Sequence, residues 1–306
     1  MQTTNTSWNR SIIVAGMVPA ILLYALLGLY PSLMTAVLSF TDISGLPNTR
    51  WRFIGIENYR EFFVLQNYRD TFDAFYRTIV FAVSVTFIQN VIALASAVLL
   101  NDKALKGRNV YRAIVFLPSV LGVTIVCYAW SLFFTMDGPA SAFLDLFGKF
   151  NAFLGDKTLA FPLVIFIQIW MSMGYAMVIY LAGLQSIPTE LYEAGRIDGA
   201  TGFGLFRHIT LPMLWPTVSI NALLSVIGSL SVLQTILLTT AGGNNTSTLA
   251  MRIFSTAFGI GTAVGGSGQG SMRQGYAAAQ SMVLFAIILV FTVIVQSILN
   301  RRERET

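Results

Sequence analysis

The chain has 306 residues, of which 55% are hydrophobic and only 11% charged, and its formal net charge is +5. Soluble proteins carry about a quarter charged residues, and a core of this size cannot bury so much apolar surface, so part of the chain must face lipid. The single cysteine, Cys127, excludes a disulfide scaffold, the pair of Cys127 and His208 is too few for a zinc site, and the basic residues form no stripe that would bind nucleic acid.

Six apolar stretches without a charged residue follow one another along the chain. A helix needs about 20 residues to cross a hydrocarbon layer about 30 Å thick, and each stretch is at least that long. They predict an all-α, polytopic membrane protein with six transmembrane helices at about 12–38, 78–100, 113–135, 160–186, 213–238 and 277–299. The transmembrane domain is then 11–300, with 1–10 as the N-terminal segment and 301–306 as the tail.

An even number of spans places both termini on one side of the membrane. If that side is the cytoplasm, the short inner segments hold more than half of the Lys and Arg residues, with the densest cluster at 103–112. The positive-inside rule therefore predicts that the N-terminus and the C-terminus are both cytoplasmic.

The predicted spans contain no Asp, Glu, Lys or Arg, which argues against a proton pump or a voltage sensor. Their polar side chains are amides and hydroxyls, which suit a neutral polyhydroxylated ligand but also suit plain hydrogen bonds between helices. In the fifth span Asn221, Ser225 and Ser229 recur every four residues. They form one polar stripe, which must face protein or water rather than lipid.

No catalytic motif has the context that it needs. The chain lacks the G-x-x-x-x-G-K-[ST] phosphate loop, so it does not hydrolyse nucleotide by that route. Ser267 lies in a G-x-S-G run, but the only histidine, His208, is predicted on the opposite side of the membrane, too far to act as its base. We therefore expect no enzyme, no cofactor and no metal.

The segment 187–212 between the fourth and fifth spans carries helix-boundary signals. Pro188 suits the first turn of a helix, and Gly199 marks a turn before a second short helix. The small Gly195 lets another backbone approach closely, and Phe203 and Phe206 suit a groove on a partner. These signals predict a helix-turn-helix on the cytoplasmic side.

The same segment resembles the E-A-A-x3-G-x9-I-x-L-P signature of ABC-importer permeases. Glu193-Ala194-Gly195, Gly199 and Ile209-x-Leu211-Pro212 fit it at the same spacing, with Gly195 in place of the second alanine. The neighbouring Leu191-Tyr192-Glu193 and Asp198-Gly199-Ala200 are similar to the carbohydrate branch, the maltose- and glycerol-phosphate-type permeases.

The resemblance to this branch extends over most of the chain. It includes a G-x-x-N-Y run at 55–59, an R-x-x-[FY]-R…LP run at 108–118 and G-Y-A-A-A at 275–279. Gly242-Gly243 resembles the branch's GGP loop, but Asn244 replaces the usual proline. The segment 261–274 also lengthens the outer loop before the sixth span.

This resemblance implies a permease subunit of an ATP-driven, binding-protein-dependent importer in a prokaryotic inner or plasma membrane. It implies alternating access and a sugar, oligosaccharide or similar neutral polyol as the substrate. The implied partners are an ATP-binding cassette ATPase dimer, an extracytoplasmic solute-binding protein and a second permease subunit, for which we expect a different chain. A stand-alone secondary carrier or facilitator for a neutral polar solute is the alternative.

The resemblance also assigns site residues by position. The contact with the ATPase falls on Glu193, Ala194, Gly195, Asp198, Gly199 and Phe203, and the contact with the binding protein falls on Gly242 and Gly243. The substrate site falls on Ser119, Gln168, Met171, Ser172, Ser225, Gly228 and Ser229. The polar stripe, found from spacing alone, already contains Ser225 and Ser229.

Overall fold

The computed structural model describes residues 6–63, 68–102, 104–145, 152–259 and 272–303, and most of them are helical. Within these ranges the only extended pairing is an isolated bridge between Thr41 and Phe53. The predicted all-α fold is therefore confirmed. The G-x-S-G run at Ser267 and most of the segment 261–274 lie outside the described residues.

The helices are numbered in chain order. α1 (Thr6–Tyr24) continues through a π turn (Ala25–Leu29) into α2 (Tyr30–Leu38). The first half of the chain continues with α3 (Glu57–Phe63), α4 (Tyr68–Asn101), α5 (Arg108–Val120), α6 (Val123–Phe133) and α7 (Pro139–Asp145). After a 3₁₀ turn (Phe153–Gly155) come α8 (Ala160–Gln185), α9 (Thr189–Ile197), α10 (Gly202–Leu205), a π turn (Phe206–Thr210), α11 (Leu211–Met213), α12 (Trp215–Leu230), α13 (Gln234–Thr239), α14 (Leu249–Phe258) and α15 (Gln274–Glu303).

Four of the described helical stretches are long and apolar enough to cross a membrane, namely Ala15–Leu38, Thr71–Asn101, Ala160–Gln185 and Gln274–Leu299. Two further candidates are bent pairs: α5 and α6 meet at 96°, and the stretch Gly202–Met213 meets α12 at 68°. The described part of the chain thus contains four such helices, or up to six if each bent pair is one span. The count of six and the orientation of the termini stay predictions.

The third and fifth predicted spans are not single helices. Leu121 and Gly122 have extended backbone between α5 and α6. Gly122 lies at this break, and glycine has the lowest helix propensity of any residue except proline. The fifth span is interrupted after Leu230, where neither proline nor glycine is present, and helix resumes at Gln234.

The chain forms two compact units. Of the described residues, the first unit comprises 6–63, 68, 253–259 and 272–283, and the second comprises 69–102, 104–145, 152–252 and 284–303. In the first unit the buried Asn58 donates from Nδ2 to the carbonyl oxygens of Ser39 and Thr41, both at 2.8 Å. The N–H of Gly275 donates to the carbonyl of Ile43 at 2.8 Å. The G-x-x-N-Y and G-Y-A-A-A runs therefore both hold the loop that follows α2.

An ion pair joins α3 to the start of α15 within the first unit. The Arg273 guanidinium donates two hydrogen bonds to the Glu61 carboxylate, both at 2.6 Å, and it lies 4.5 Å from the centre of the Tyr276 ring. The hydrogen bond from Arg273 holds the pKa of Glu61 below its ordinary value.

In the second unit α8 is the central helix, because it contributes to all three clusters of buried apolar side chains. It crosses α5 at Gly174. A Cβ added at Gly174 would lie 2.4 Å from the carbonyl oxygen of Val115 and 2.8 Å from Cα of Phe116. A glycine is therefore needed for the two helices to approach this closely.

Candidate functional site

A cavity of about 200 Å³ lies in the second unit, where α4, α8 and α12 meet. Its walls carry amides, hydroxyls and a phenol among small and apolar groups, and no Asp, Glu, Lys, Arg or His. The lining residues are Gln89, Gln168, Ser172, Tyr175, Ala176, Asn221, Leu224, Ser225, Gly228 and Ser229.

Two helical stripes supply most of this lining. On α12 the side chains of Asn221, Ser225 and Ser229 are buried and all line the cavity. On α8 the lining residues include Gln168 and Ser172, which are four residues apart and so share a helix face. The spacing of the α12 stripe had predicted that it faces protein or water, and the structure places it there.

The third wall comes from α4, which joins the two stripes through hydrogen bonds. Ser225 Oγ accepts from Gln89 Nε2 at 3.3 Å and from Asn90 Nδ2 at 3.1 Å. Ser172 Oγ donates to Gln89 Oε1 at 2.8 Å, and Tyr180 OH donates to Asn90 Oδ1 at 2.8 Å. Because lipid offers no hydrogen bonds, such contacts between polar groups fix the wall in one arrangement.

The structure brings five of the seven predicted substrate residues together on the cavity: Gln168, Ser172, Ser225, Gly228 and Ser229. Ser119 instead lies where α5 crosses α8, donating to the carbonyl of Met171 at 2.9 Å and accepting from the N–H of Tyr175 at 3.1 Å. The Met171 side chain packs on the apolar cluster that contains Val126. Both side chains thus have contacts within the protein, and a role for them in substrate binding stays a prediction.

The predicted set lacked five cavity residues: Gln89, Tyr175, Ala176, Asn221 and Leu224. The sequence held a signal for four of them. Tyr175 and Ala176 follow Gln168 by two helical turns, Asn221 belongs to the polar stripe, and Gln89 is one of two adjacent amides in an uncharged span. Leu224 carries no such signal.

The predicted helix-turn-helix is present as α9, a turn and the stretch from α10 to α11. At the end of α9 the N–H of Ala200 donates to the carbonyl of Gly195 at 2.9 Å, and the N–H of Gly199 donates to the carbonyl of Arg196 at 3.0 Å. This is the Schellman arrangement, which requires the left-handed backbone that Gly199 has, with φ +84°.

Gly195 lies where α9 packs against the second helix of this segment. A Cβ added there would lie 2.5 Å from Ile209 Cδ1 and 2.9 Å from Leu205 Cδ2. Both atoms are ends of flexible side chains, so an alanine at this position, as in the signature, would need only a small shift of Ile209 and Leu205.

The same segment exposes apolar surface. The side chain of Phe203 is 74% exposed and that of Ile197 is 86% exposed. Glu193, Ala194 and Asp198 are exposed beside them. Phe203 thus has no burial site within the described chain, and the contact of these residues with an ATPase stays a prediction.

The loop at 240–246 explains the replacement of the usual proline. Asn244 has φ +49°, whereas proline is fixed near −65°, so a proline cannot occupy this backbone. The Asn244 amide instead donates to the carbonyl of Leu154 at 2.8 Å. Gly242 is buried, with a hypothetical Cβ 2.8 Å from Met251 Cγ, while Gly243 is partly exposed. Their contact with a binding protein stays a prediction.

Residues 63–305 match the family described as "Binding-protein-dependent transport system inner membrane component". The chain is 29% identical over 289 residues to the probable starch degradation products transport system permease protein AmyD of Thermoanaerobacterium thermosulfurigenes, covering 94% of this chain and 93% of that protein. It is 31% identical over 266 residues to the lactose transport system permease protein LacF of Rhizobium radiobacter, covering 84% of this chain and 87% of that protein. Its fold is similar to a chain in the crystal structure of a bacterial ABC transporter involved in the import of the acidic polysaccharide alginate, with a TM-score of 0.79, 22% identity and 96% of both chains covered.

Proposed function

The chain belongs to the family of inner membrane components of binding-protein-dependent transport systems, and from this premise we propose that it is a permease subunit of an ATP-driven importer for a sugar or oligosaccharide. One observation carries the proposed substrate class: the cavity between three apolar helices is uncharged and lined by amides and hydroxyls. Such groups both donate and accept hydrogen bonds, as the hydroxyls of a neutral sugar do.

The relatives support the same substrate class, since their names refer to starch degradation products and to lactose. As a family member the chain is a multi-pass protein of the inner membrane and not an enzyme, and ATP hydrolysis takes place in a separate subunit. We infer that it works with an ATPase dimer, a second permease subunit and an extracytoplasmic binding protein.

The position of the helix-turn-helix in the chain supports a mechanism. α8 ends at Gln185 and α9 begins at Thr189, while α11 ends at Met213 and α12 begins at Trp215. Both α8 and α12 line the cavity, so a movement of the helix-turn-helix is transmitted directly to two of its walls. Closure of the ATPase dimer against the exposed Phe203 and Ile197 would thereby open the cavity to alternate sides.

The test is uptake by proteoliposomes that contain the whole complex, supplied with its binding protein and with radiolabelled maltose, lactose or trehalose. We expect uptake of at least one sugar that requires both ATP and the binding protein. Gln168→Ala removes one polar wall group, so we expect it to change the ratio of uptake rates among the sugars by about two- to tenfold, as loss of one neutral hydrogen bond would.

Ser231→Ala is the matched control, because the Ser231 hydroxyl is exposed and donates to the Ile227 carbonyl of its own helix at 2.8 Å. It should leave the uptake ratio unchanged. Uptake by the chain alone, without an ATPase subunit, would instead support the stand-alone carrier.

A further inference from the structure

We propose that Thr235 is a positioning residue for the cavity: its hydroxyl holds the Gln168 carboxamide in the orientation that a sugar meets. The inference rests on the proposed function, in which Gln168 contacts the substrate. Thr235 does not line the cavity, and it acts through Gln168 alone.

The contact is short and enclosed. Thr235 Oγ1 donates to Gln168 Oε1 at 2.6 Å, and Thr235 is 2% exposed. A carboxamide is planar, so fixing its oxygen also fixes the direction of its nitrogen. Because Gln168 lines the cavity, the hydrogen bond decides which part of the amide the cavity presents.

Apolar packing holds Thr235 in place. The next residue, Ile236, is fully buried in the cluster that contains Val164 and Ile169 of α8. These two residues lie one turn before Gln168 and directly after it. α13, which begins after the interruption at residues 231–233, therefore packs against α8 beside Gln168.

The effect on transport follows from side-chain entropy. Glutamine is among the side chains that lose the most rotamer freedom when they are ordered. Because Thr235 already orders Gln168 in the free protein, sugar binding does not have to restrict the Gln168 side chain further. The free energy of the contact is therefore more favourable. Loss of the Thr235 hydroxyl should therefore weaken the contact without disturbing the partners of the complex.

The first experiment compares Thr235→Val, which removes the hydroxyl at nearly constant shape, with Thr235→Ser, which keeps it. Thr239→Val is the matched control, because the Thr239 hydroxyl lies one turn later on α13 and donates to the Thr235 carbonyl at 2.7 Å rather than to α8. The readout is the amount of labelled sugar moved per ATP hydrolysed by the whole complex in proteoliposomes. A defect in assembly lowers uptake and ATP hydrolysis together, whereas a weakened sugar contact lowers their ratio.

We expect the ratio to fall about two- to tenfold in Thr235→Val, the range for one neutral hydrogen bond, and to stay near the native value in Thr235→Ser and Thr239→Val. In a Gln168→Ala background the further change to Thr235→Val should have no added effect, because the two residues act as one unit. Equal ratios in Thr235→Val and Thr239→Val, or an additive double variant, would overturn the inference. Failure of the native complex to take up any of the sugars would count against the proposed function itself and would remove the basis of the inference with it.

Discussion

Gly199 ends α9 with a backbone conformation that most residues avoid. Its φ of +84° lets the last carbonyls of the helix accept hydrogen bonds from the turn. A Cβ added at Gly199 would have no heavy atom within 4 Å, so any cost of substitution is conformational and not steric. The stability of a variant at this position should therefore depend on how readily the new residue adopts the left-handed backbone conformation.

We expect Gly199→Val to cost about 1–2 kcal/mol in local stability, because a β-branched residue resists positive φ. The turn would then rearrange, and the ATPase subunit would bind less well. Co-purification of the ATPase subunit and ATP-dependent uptake should both fall.

Gly199→Asn is the matched comparison, since asparagine adopts this region more readily than other residues with a side chain. It should retain most of the ATPase binding and uptake. If the valine variant assembled and transported normally, the turn would not be part of the contact with the ATPase.

Between elements, the crossing of α5 and α8 determines where the cavity wall lies. Gly174 lets the helices touch, and next to it the Ser119 hydroxyl links them through the carbonyl of Met171 and the N–H of Tyr175. Tyr175 lines the cavity, so the contacts of α5 with α8 at this crossing also fix the position of a cavity residue.

Gly174→Ala is expected to destabilise the second unit by about 1–3 kcal/mol, the usual cost of overpacking. The added methyl group would meet backbone atoms of α5, which cannot rotate away as a side chain can. Thermal unfolding of the purified chain in detergent should show a lower melting temperature.

The control for this stability measurement is Gly228→Ala. A Cβ at Gly228 has no heavy atom within 4 Å, and Gly228 lies inside α12, so alanine should leave the melting temperature unchanged or slightly higher. A Gly174→Ala variant as stable as Gly228→Ala would show that the two helices can separate at little cost.

For the whole molecule, the predicted orientation assigns the two predicted contact regions to opposite sides of the membrane. The helix-turn-helix would face the ATPase in the cytoplasm, and the loop at 240–246 would face the binding protein outside. The bent pairs and the interrupted fifth span leave this orientation as the main prediction about the molecule that needs a direct test.

Labelling of single cysteines with a membrane-impermeant maleimide gives that test. Cys127 is the one cysteine of the chain, so Cys127→Ala provides a background without a thiol. Cys127 is buried, and a small apolar replacement suits its site. In it, Lys157→Cys, beside the loop at 240–246, should react in intact spheroplasts, and Asp198→Cys should react only after the membrane is opened, since both positions are exposed. The reverse pattern would place the helix-turn-helix outside and contradict coupling to a cytoplasmic ATPase.

The sequence by itself determined the features that depend on local order along the chain. Apolar runs specify membrane helices, a four-residue period specifies the stripe of Asn221, Ser225 and Ser229, and Pro188 and Gly199 mark helix boundaries. Each of these follows from the geometry of one helix or one turn, which neighbouring residues fix without reference to the rest of the molecule.

Only the tertiary structure decided which side chains meet. It separated Ser119 and Met171 from the cavity, added Gln89 from α4, and brought Thr235 to Gln168 across 67 residues of sequence. Such contacts depend on where helices break and at what level they cross. Residues 231–233, at the break after Leu230, include no glycine or proline, and beyond the break α13 packs against both α6 and α8.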